Sequence, residues 1–501
     1  MKLSRRDLLK LAAAMSVASV DLPAWAATQP AGQKLENDDY KALVCLFLYG
    51  GNDSWNLLFP VSDEQGNGAG GGRGFKTFAE RRGELATSHK DLVLPAGNQF
   101  DQGNPYGKAD EAYRSGFYHL DNLWGMAACA PELAMLHRDR QLALIANTGV
   151  LAEPVTRSTI NEQNRPYFLY AHNHQQYALA SANALIRTRL GWAGRLADNW
   201  NPDSKSVLGS VIALDKPFHT TFGATGSGLI LPSTGPMAFE DSFAKGDKKL
   251  SRFGKAIQTL AASGNSDAFG ELVASRYAQS LSISQTLQTW WLPEAPWPKT
   301  TASYGEDLFS MPDDGLVGLN GNLDGGLMRQ LEATARLIDI GRRTGHKRQL
   351  FFISMGGFDT HANQAGRHPV LLRSLSLGLW HFQNAVNAMG ISDKVTLFSQ
   401  SDFGRTLSMN NDGTDHGWSG NQLVMGGAVK SGVYGTMPDL REGSESVMAD
   451  KRGRVIPSIA SEQVTAELLR WMDVPDKDLH LALPLLERFE SSRKDRLGIM
   501  A

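Results

Sequence analysis

Cysteine is nearly absent from this 501-residue sequence. Only Cys45 and Cys129 occur, too few for a disulfide framework, and Cys45, inside the apolar run 42–48, reads as a buried thiol. Net charge is nearly absent as well. With 50 Lys and Arg against 52 Asp and Glu the formal balance is −2, so no long-range field attracts a polyanion and nucleic acid is not an expected partner. No apolar run reaches the ~20 residues that a spanning helix needs, and no repeat is visible. The glycine-rich stretch 64–74, EQGNGAGGGRG, lacks the Lys-Ser/Thr of a P-loop and the strand that opens a dinucleotide fingerprint, so it reads as a surface loop, as does 223–228. Disorder is excluded by an apolar fraction of 42%.

What is present is concentrated between 349 and 421. An apolar, aromatic-rich run at 350–354 stops at Gly356-Gly357, the pattern of a buried strand ending in a tight turn, and Asp359 and His361 follow at once. The run 395–399 repeats the design, with Ser401, Asp402 and Arg405 just past its end, and Asp415-His416-Gly417 comes next in a glycine-rich loop. Between the two runs Leu372, Leu375, Leu379, Phe382, Val386 and Met389 keep helical spacing. Upstream, Leu327, Leu331, Ala335 and Ile338 form a second helical stripe. A strand, a helix and a strand make a parallel crossover, and ligands of open parallel sheets bind outside the carboxyl ends of the strands. Carboxylates and imidazoles falling there twice predict a metal site.

The rest of the chain supports this reading. Residues 1–26 read as an export signal: Ser4-Arg5-Arg6-Asp7-Leu8-Leu9-Lys10 resembles the twin-arginine consensus, a modest apolar segment follows, and Ala24-Trp25-Ala26 fits a small-x-small cleavage site. Twin-arginine passengers cross the membrane folded, often with a cofactor inserted, and the expected destination is the periplasm. After a linker, 27–40, the run 42–48 reads as a central strand ending in Gly50-Gly51-Asn52-Asp53, where Asp53 is a metal ligand or a turn cap. Another strand, 142–146, leads to Asn147 and Thr148. The patch 170–176 holds His172 and His174, which share a direction if extended and are otherwise solvated. Arg195, near the start of a helix, serves an anion or an ion pair. Residues 201–320 read as an insertion or cap within a single domain spanning 41–490, and 491–501 as a tail.

Asp53, Asp359, His361, Asp402, Asp415 and His416, with His172 and His174 as additions, suit one or two divalent cations. Zinc is favoured over manganese, and calcium and magnesium, which prefer all-oxygen cages, are less apt. The same motifs, GGND, GWxGR, GGFDTH-x-x-Q, SDFGRT and GTDHGWSGN in this order, resemble the bacterial family called domain of unknown function 1501, placed in the alkaline-phosphatase-like superfamily with sulfatases and phosphomutases. The resemblance implies an α/β, alkaline-phosphatase-like three-layer sandwich, with a largely parallel central sheet and helices on both faces. By superfamily analogy Asp53 and Asp402 would serve one metal and Asp359, His361 and His416 the other, with Asp415 behind an imidazole. Two positions depart from the family pattern. Asp402 stands where Glu is usual, and Ala171 where relatives have a serine, the expected nucleophile.

Two functions follow. One is a periplasmic metal-dependent hydrolase of a small phosphate or sulfate ester, with Arg405 or Arg195 gripping the anion and attack by activated water or by a hydroxyl such as Thr148 or Ser158. The other is a non-catalytic envelope protein that binds a partner or polymer.

Overall fold

A computed structural model describes residues 39–62, 72–94, 114–200, 208–236, 268–292, 324–490 and 496–501, with short stretches between them. The export segment 1–26, most of the linker, much of the glycine-rich loop 64–74 and much of the region 201–320 lie outside the described residues.

The central sheet has nine strands. Those running in one direction are β1 (Lys41–Leu48), β2 (Leu142–Gly149), β3 (Val211–Leu214), β4 (Leu229–Leu231), β5 (Arg348–Met355), β6 (Val395–Ser401), β8 (Gly432–Tyr434) and β9 (Ile459–Ala460). Only β7 (Gly420–Gly426) runs against them, between β6 and β2. The order across the sheet is β8-β2-β7-β6-β1-β5-β3-β4, with β9 beside β2. The mostly parallel sheet explains why β1 is a continuous apolar run: it pairs with β5 and β6 and is covered on both faces.

That cover is visible in how β1 divides its side chains. Ala42, Val44, Leu46 and Leu48 join one core with Leu327, Leu331 and Leu375. These last belong to α6 (Gly325–Arg343) and α7 (Gln364–Ala388). Leu43, Cys45 and Phe47 join a second core with Leu179, Trp192, Leu196, Val464 and Leu468. Those come from α3 (His172–Ser181), α4 (Trp192–Asn199) and α8 (Ser461–Trp471). Strand alternation thus places a helical layer on either side of the sheet. Two further helices precede them, α1 (Phe75–Arg82) and α2 (Pro131–Arg138), and α5 (Ala268–Trp290) lies between α4 and α6. The stripe expected at 372–389 falls on α7, and β5 and β6 extend slightly beyond the expected strands.

Cys45 and Cys129 are both buried and form no disulfide. Among the described residues no helix is long and apolar enough to cross a membrane. In the tail, Ile499 is buried and the Ala501 N–H donates to the Ala428 carbonyl at 2.8 Å.

Candidate metal centre

Three strand ends and one helix start meet at the carboxyl edge of the sheet. β5 stops at Met355, Gly357 turns the chain with φ +99°, and Asp359 and His361 follow. A close approach holds this turn: a Cβ on Gly50, at the end of β1 with φ +115°, would sit 2.3 Å from the Asp359 nitrogen. Past β6, the strand Arg405–Met409 pairs with Thr414–His416, and the register sets Arg405 opposite His416. His172 is the first residue of α3.

These elements bring His172, Asp359 and His416 together, with ligand atoms all within 4.8 Å of one another, and set His361 beside the last two. His416 Nε2 lies 2.8 Å from His361 Nε2 and 3.0 Å from His172 Nε2. Asp359 Oδ1 is 3.1 Å from His361 Nε2 and 3.3 Å from His416 Nε2, and its Oδ2 is 3.5 Å from His172 Nε2. Four-coordinate zinc with bonds of ~2.0–2.1 Å separates its ligands by roughly 3.3 Å, so the spacing is that of a small metal shell. The group is open to solvent, with 47% of the Asp359 side chain and 43% of His361 exposed.

The proton positions strengthen the fit. His172 Nδ1 donates to the buried carboxylate of Asp402 at 2.5 Å, and His416 Nδ1 donates to the Tyr170 carbonyl at 2.8 Å. Neither acceptor can give a proton back, so both imidazoles carry hydrogen on Nδ1 and aim an Nε2 lone pair at the other. His361 Nδ1 stands 3.4 Å from Asp415 Oδ1. All three rings are therefore held from behind by an oxygen, the arrangement that fixes the tautomer of metal-binding histidines. Facing lone pairs repel unless a proton or a cation lies between them. Without a cation the hydrogen bond to Asp402 raises the pKa of His172, whereas burial lowers that of His416.

Asp359 is kept ionised. Burial works upward, but the hydrogen bond and charge of Arg405, with His172 and His361, carry its pKa below the ordinary carboxylate value. Tyr170, whose carbonyl holds His416, sits at φ +78°, and Phe168 at +43°. Left-handed conformations at two bulky residues mark a strained approach to His172.

Several residues expected at the metal are elsewhere. Asp53 is fully buried in an ion pair with Arg82 of α1, and its Oδ2 also accepts from Gln364 Nε2 at 2.5 Å, while its Oδ1 is buried with no hydrogen-bond partner among the described residues. Asp402 meets His172 at Nδ1, accepts from the Gly50 N–H at 3.1 Å and from Gln176 Nε2 at 3.2 Å, and so stands behind the His172 ring. His174 does not share a direction with His172, because the segment is helical and positions two apart diverge; its ring stacks on Phe168 at 4.3 Å. Among the described residues one group of three, His172, Asp359 and His416, has ligand atoms within 4.8 Å of one another, and neither Asp53 nor Asp402 is in it.

The expected anion grips and hydroxyls are also placed otherwise. Arg405 is fully buried, and its guanidinium donates to Asp359 Oδ1 at 2.8 Å, to the Gly50 carbonyl at 3.2 Å and to Thr414. Arg195 caps carbonyls of Ser181, Leu190, Leu481 and Ala482. Thr148 bonds the Gly420 carbonyl and lines a cavity of about 30 Å³ behind the site with Asp402. Ser158 lies on an exposed loop, 2.7 Å from Glu445. Sequence reasoning missed Tyr170 as a backbone partner, for which no side-chain signal exists. It also missed Arg452, whose exposed guanidinium is 3.4 Å from Asp415 at the mouth of the site; the basic run Lys451-Arg452-Gly453-Arg454 was its only signal.

Replacing Asp402 with Asn keeps the shape of the Nδ1 acceptor but removes its charge. We expect Asp402→Asn to weaken zinc binding about 10–100-fold in a competition titration, with the fold intact; unchanged affinity would remove the orienting role.

A search of curated proteins finds no match. Among solved structures the chain is similar to Ps i-CgsB in complex with k-i-k-neocarrahexaose (9% identity, 88% of this chain and 74% of that chain, TM-score 0.30). It is similar to a Bacteroides thetaiotaomicron chain from work on the metabolism of multiple glycosaminoglycans (8%, 88% and 74%, TM-score 0.31). It is also similar to alkaline phosphatase from the Antarctic bacterium TAB5 (9%, 78% and 92%, TM-score 0.25). Scores this low carry no argument about the site. Residues 300–449, which hold Asp359, His361, Asp402 and His416, match the model of the family described as "Protein of unknown function (DUF1501)", the family its motifs resemble.

Proposed function

We propose that this chain is an exported, metal-dependent hydrolase of sulfate or phosphate esters on an alkaline-phosphatase-like fold. The observation that carries the reading is the convergence of three Nε2 atoms and the Asp359 carboxylate at an exposed point, with every ring held at Nδ1. His172, His361, His416 and Asp359 would hold the cation. Three imidazoles and one carboxylate favour zinc, and are poor ligands for calcium or magnesium. A bound divalent cation would polarise an ester oxygen and lower the pKa of water.

The chain's own groups divide the remaining work. Asp402, Asp415 and the Tyr170 carbonyl hold protons at Nδ1 and keep the lone pairs at Nε2. Arg405 holds Asp359 in place and ionised. The exposed Arg452 is the cation available to meet an anionic ester at the open face. With the Thr148 hydroxyl bonded to the Gly420 carbonyl and that of Ser158 to Glu445, direct attack by water fits better than a covalent route, and no sulfo- or phospho-enzyme should be trapped. Turnover of an aryl sulfate or aryl phosphate by zinc-loaded protein, lost in the metal-free protein, tests the reading. A metal-loaded protein inert to both would favour the non-catalytic envelope role, which the occupied guanidinium groups of Arg195 and Arg405 also suit.

Ala171 bears on the same choice. It stands at the N-cap of α3 with no side-chain bond to the free N–H groups of the first turn. A serine there caps the helix, whether or not it attacks anything. We expect Ala171→Ser to stabilise the protein by about 1 kcal/mol and to leave hydrolysis unchanged. A marked rise in turnover with a trapped intermediate would restore the serine as a nucleophile.

A further inference from the structure

A second feature lies beside the metal centre and has no part in holding it. An open cleft of about 940 Å³ is lined by Tyr177, Arg187, Arg189, His219, Phe222 and Arg276, among others. Tyr177 is on α3, the helix that opens with His172, at about 7 Å of helical rise from it. Five positions turn the helix by about 140°, so Tyr177 leaves α3 on another face than His172; the link to the cluster runs through its neighbour Gln176, whose Nε2 donates to Asp402 at 3.2 Å, the carboxylate that also holds His172.

The charge of the cleft is one-sided. Three arginines and a histidine face it, and no Asp or Glu is among its described lining residues. Arg187 and Arg189 are exposed, and Arg187 lies over the Tyr177 ring at 4.6 Å. His219 packs on Tyr177 at 4.1 Å and against Phe222 at 5.4 Å. Among the described residues Arg276 bonds the amide oxygen of Gln279, at 3.3 Å. Asp198, behind the Gly223 wall, is already committed to the N–H groups of Ala224 and Thr225. Like charges gathered without a counter-charge cost stability, and a stacked guanidinium still offers its edge to a tetrahedral oxyanion. Burial and the charge of Arg187 lower the pKa of His219, consistent with a crowded cationic wall.

We propose that this cleft binds an oligomeric sulfate or phosphate ester, the arginines holding anionic groups next to the one presented at the metal centre. The inference deepens the ester-hydrolase reading by naming the substrate as a chain that carries several oxyanions, but binding at the cleft can be measured apart from turnover.

The test is calorimetric titration with a sulfated hexasaccharide and, separately, with inorganic polyphosphate of similar length, at low and high salt. Wild type should bind one of them, and the tighter ligand names the carrier. The double variant Arg187→Gln/Arg189→Gln, altered only at exposed positions, should bind it about tenfold or more weakly at low salt, with a shallower salt dependence. Its zinc content and its turnover of a small aryl ester should match wild type. The arginine-dependent binding should persist in His416→Ala, so a failed hydrolase reading leaves this result standing. Equal affinity of the double variant and wild type for both probes, or no binding of either, would overturn the proposal.

Discussion

His416→Ala should leave the purified protein without its metal and without hydrolysis. Its Nε2 is the hub of the cluster, within 3.3 Å of His361, His172 and Asp359 at once. Removing it takes away a ligand and also the atom that holds the other three at bonding separation. Zinc content should fall from about one equivalent to a small fraction, since each lost ligand weakens a site of this kind by orders of magnitude. Chelation of the wild type should have the same direction. Any ligand that binds only the folded state stabilises by RT ln(1 + [L]/Kd), or about 2.7 kcal/mol at a hundredfold excess over Kd. The melting temperature should therefore drop on chelation in wild type and stay put in His416→Ala. A variant that kept its zinc would show that the cluster is not the site.

Arg405→Met should produce the largest loss of stability. The guanidinium is fully buried and joins Asp359, the Gly50 carbonyl and Thr414. From Thr414 a buried chain continues to Gln364 at 2.6 Å and on to Asp53. Methionine fills the volume but satisfies none of these acceptors, and breaking a buried charged network in this way costs about 3–5 kcal/mol. Denaturant unfolding should show the full effect, and Arg405→Lys should recover little of it, because an ammonium cannot span the same planar set of acceptors. A loss below about 1 kcal/mol would mean that the network contributes no more than a surface pair. Metal affinity should fall along with stability, because Asp359 loses the partner that keeps it ionised.

Much of the fold was legible because its signals are local. An unbroken apolar run, a glycine pair and an acid mark the end of β1 and of β5, and the helical stripe in α7 needs no partner to be read. The neighbours in the sheet were not legible, since β1 lies between β5 and β6 although it precedes both by some 300 residues in the chain. The site divides in the same way. Asp359, His361 and His416 lie in short motifs past strand ends, and the structure brings them together with His172. Whether a strand-end acid faces the cluster or is occupied elsewhere depends on partners far along the chain. Asp53 is held by Arg82, and Asp402 by the Nδ1 of His172. His174 depends on a different feature: it shares a direction with His172 only in an extended segment, and the backbone enters a helix at His172.

The central claim is a place, and a place can be measured. Crystals of zinc-loaded protein, with anomalous diffraction recorded on both sides of the zinc absorption edge, should show one strong peak bounded by His172 Nε2, His361 Nε2, His416 Nε2 and the Asp359 carboxylate. It should be absent from crystals of His416→Ala. A peak at Asp53, or no peak among these four residues in fully loaded protein, would contradict the account.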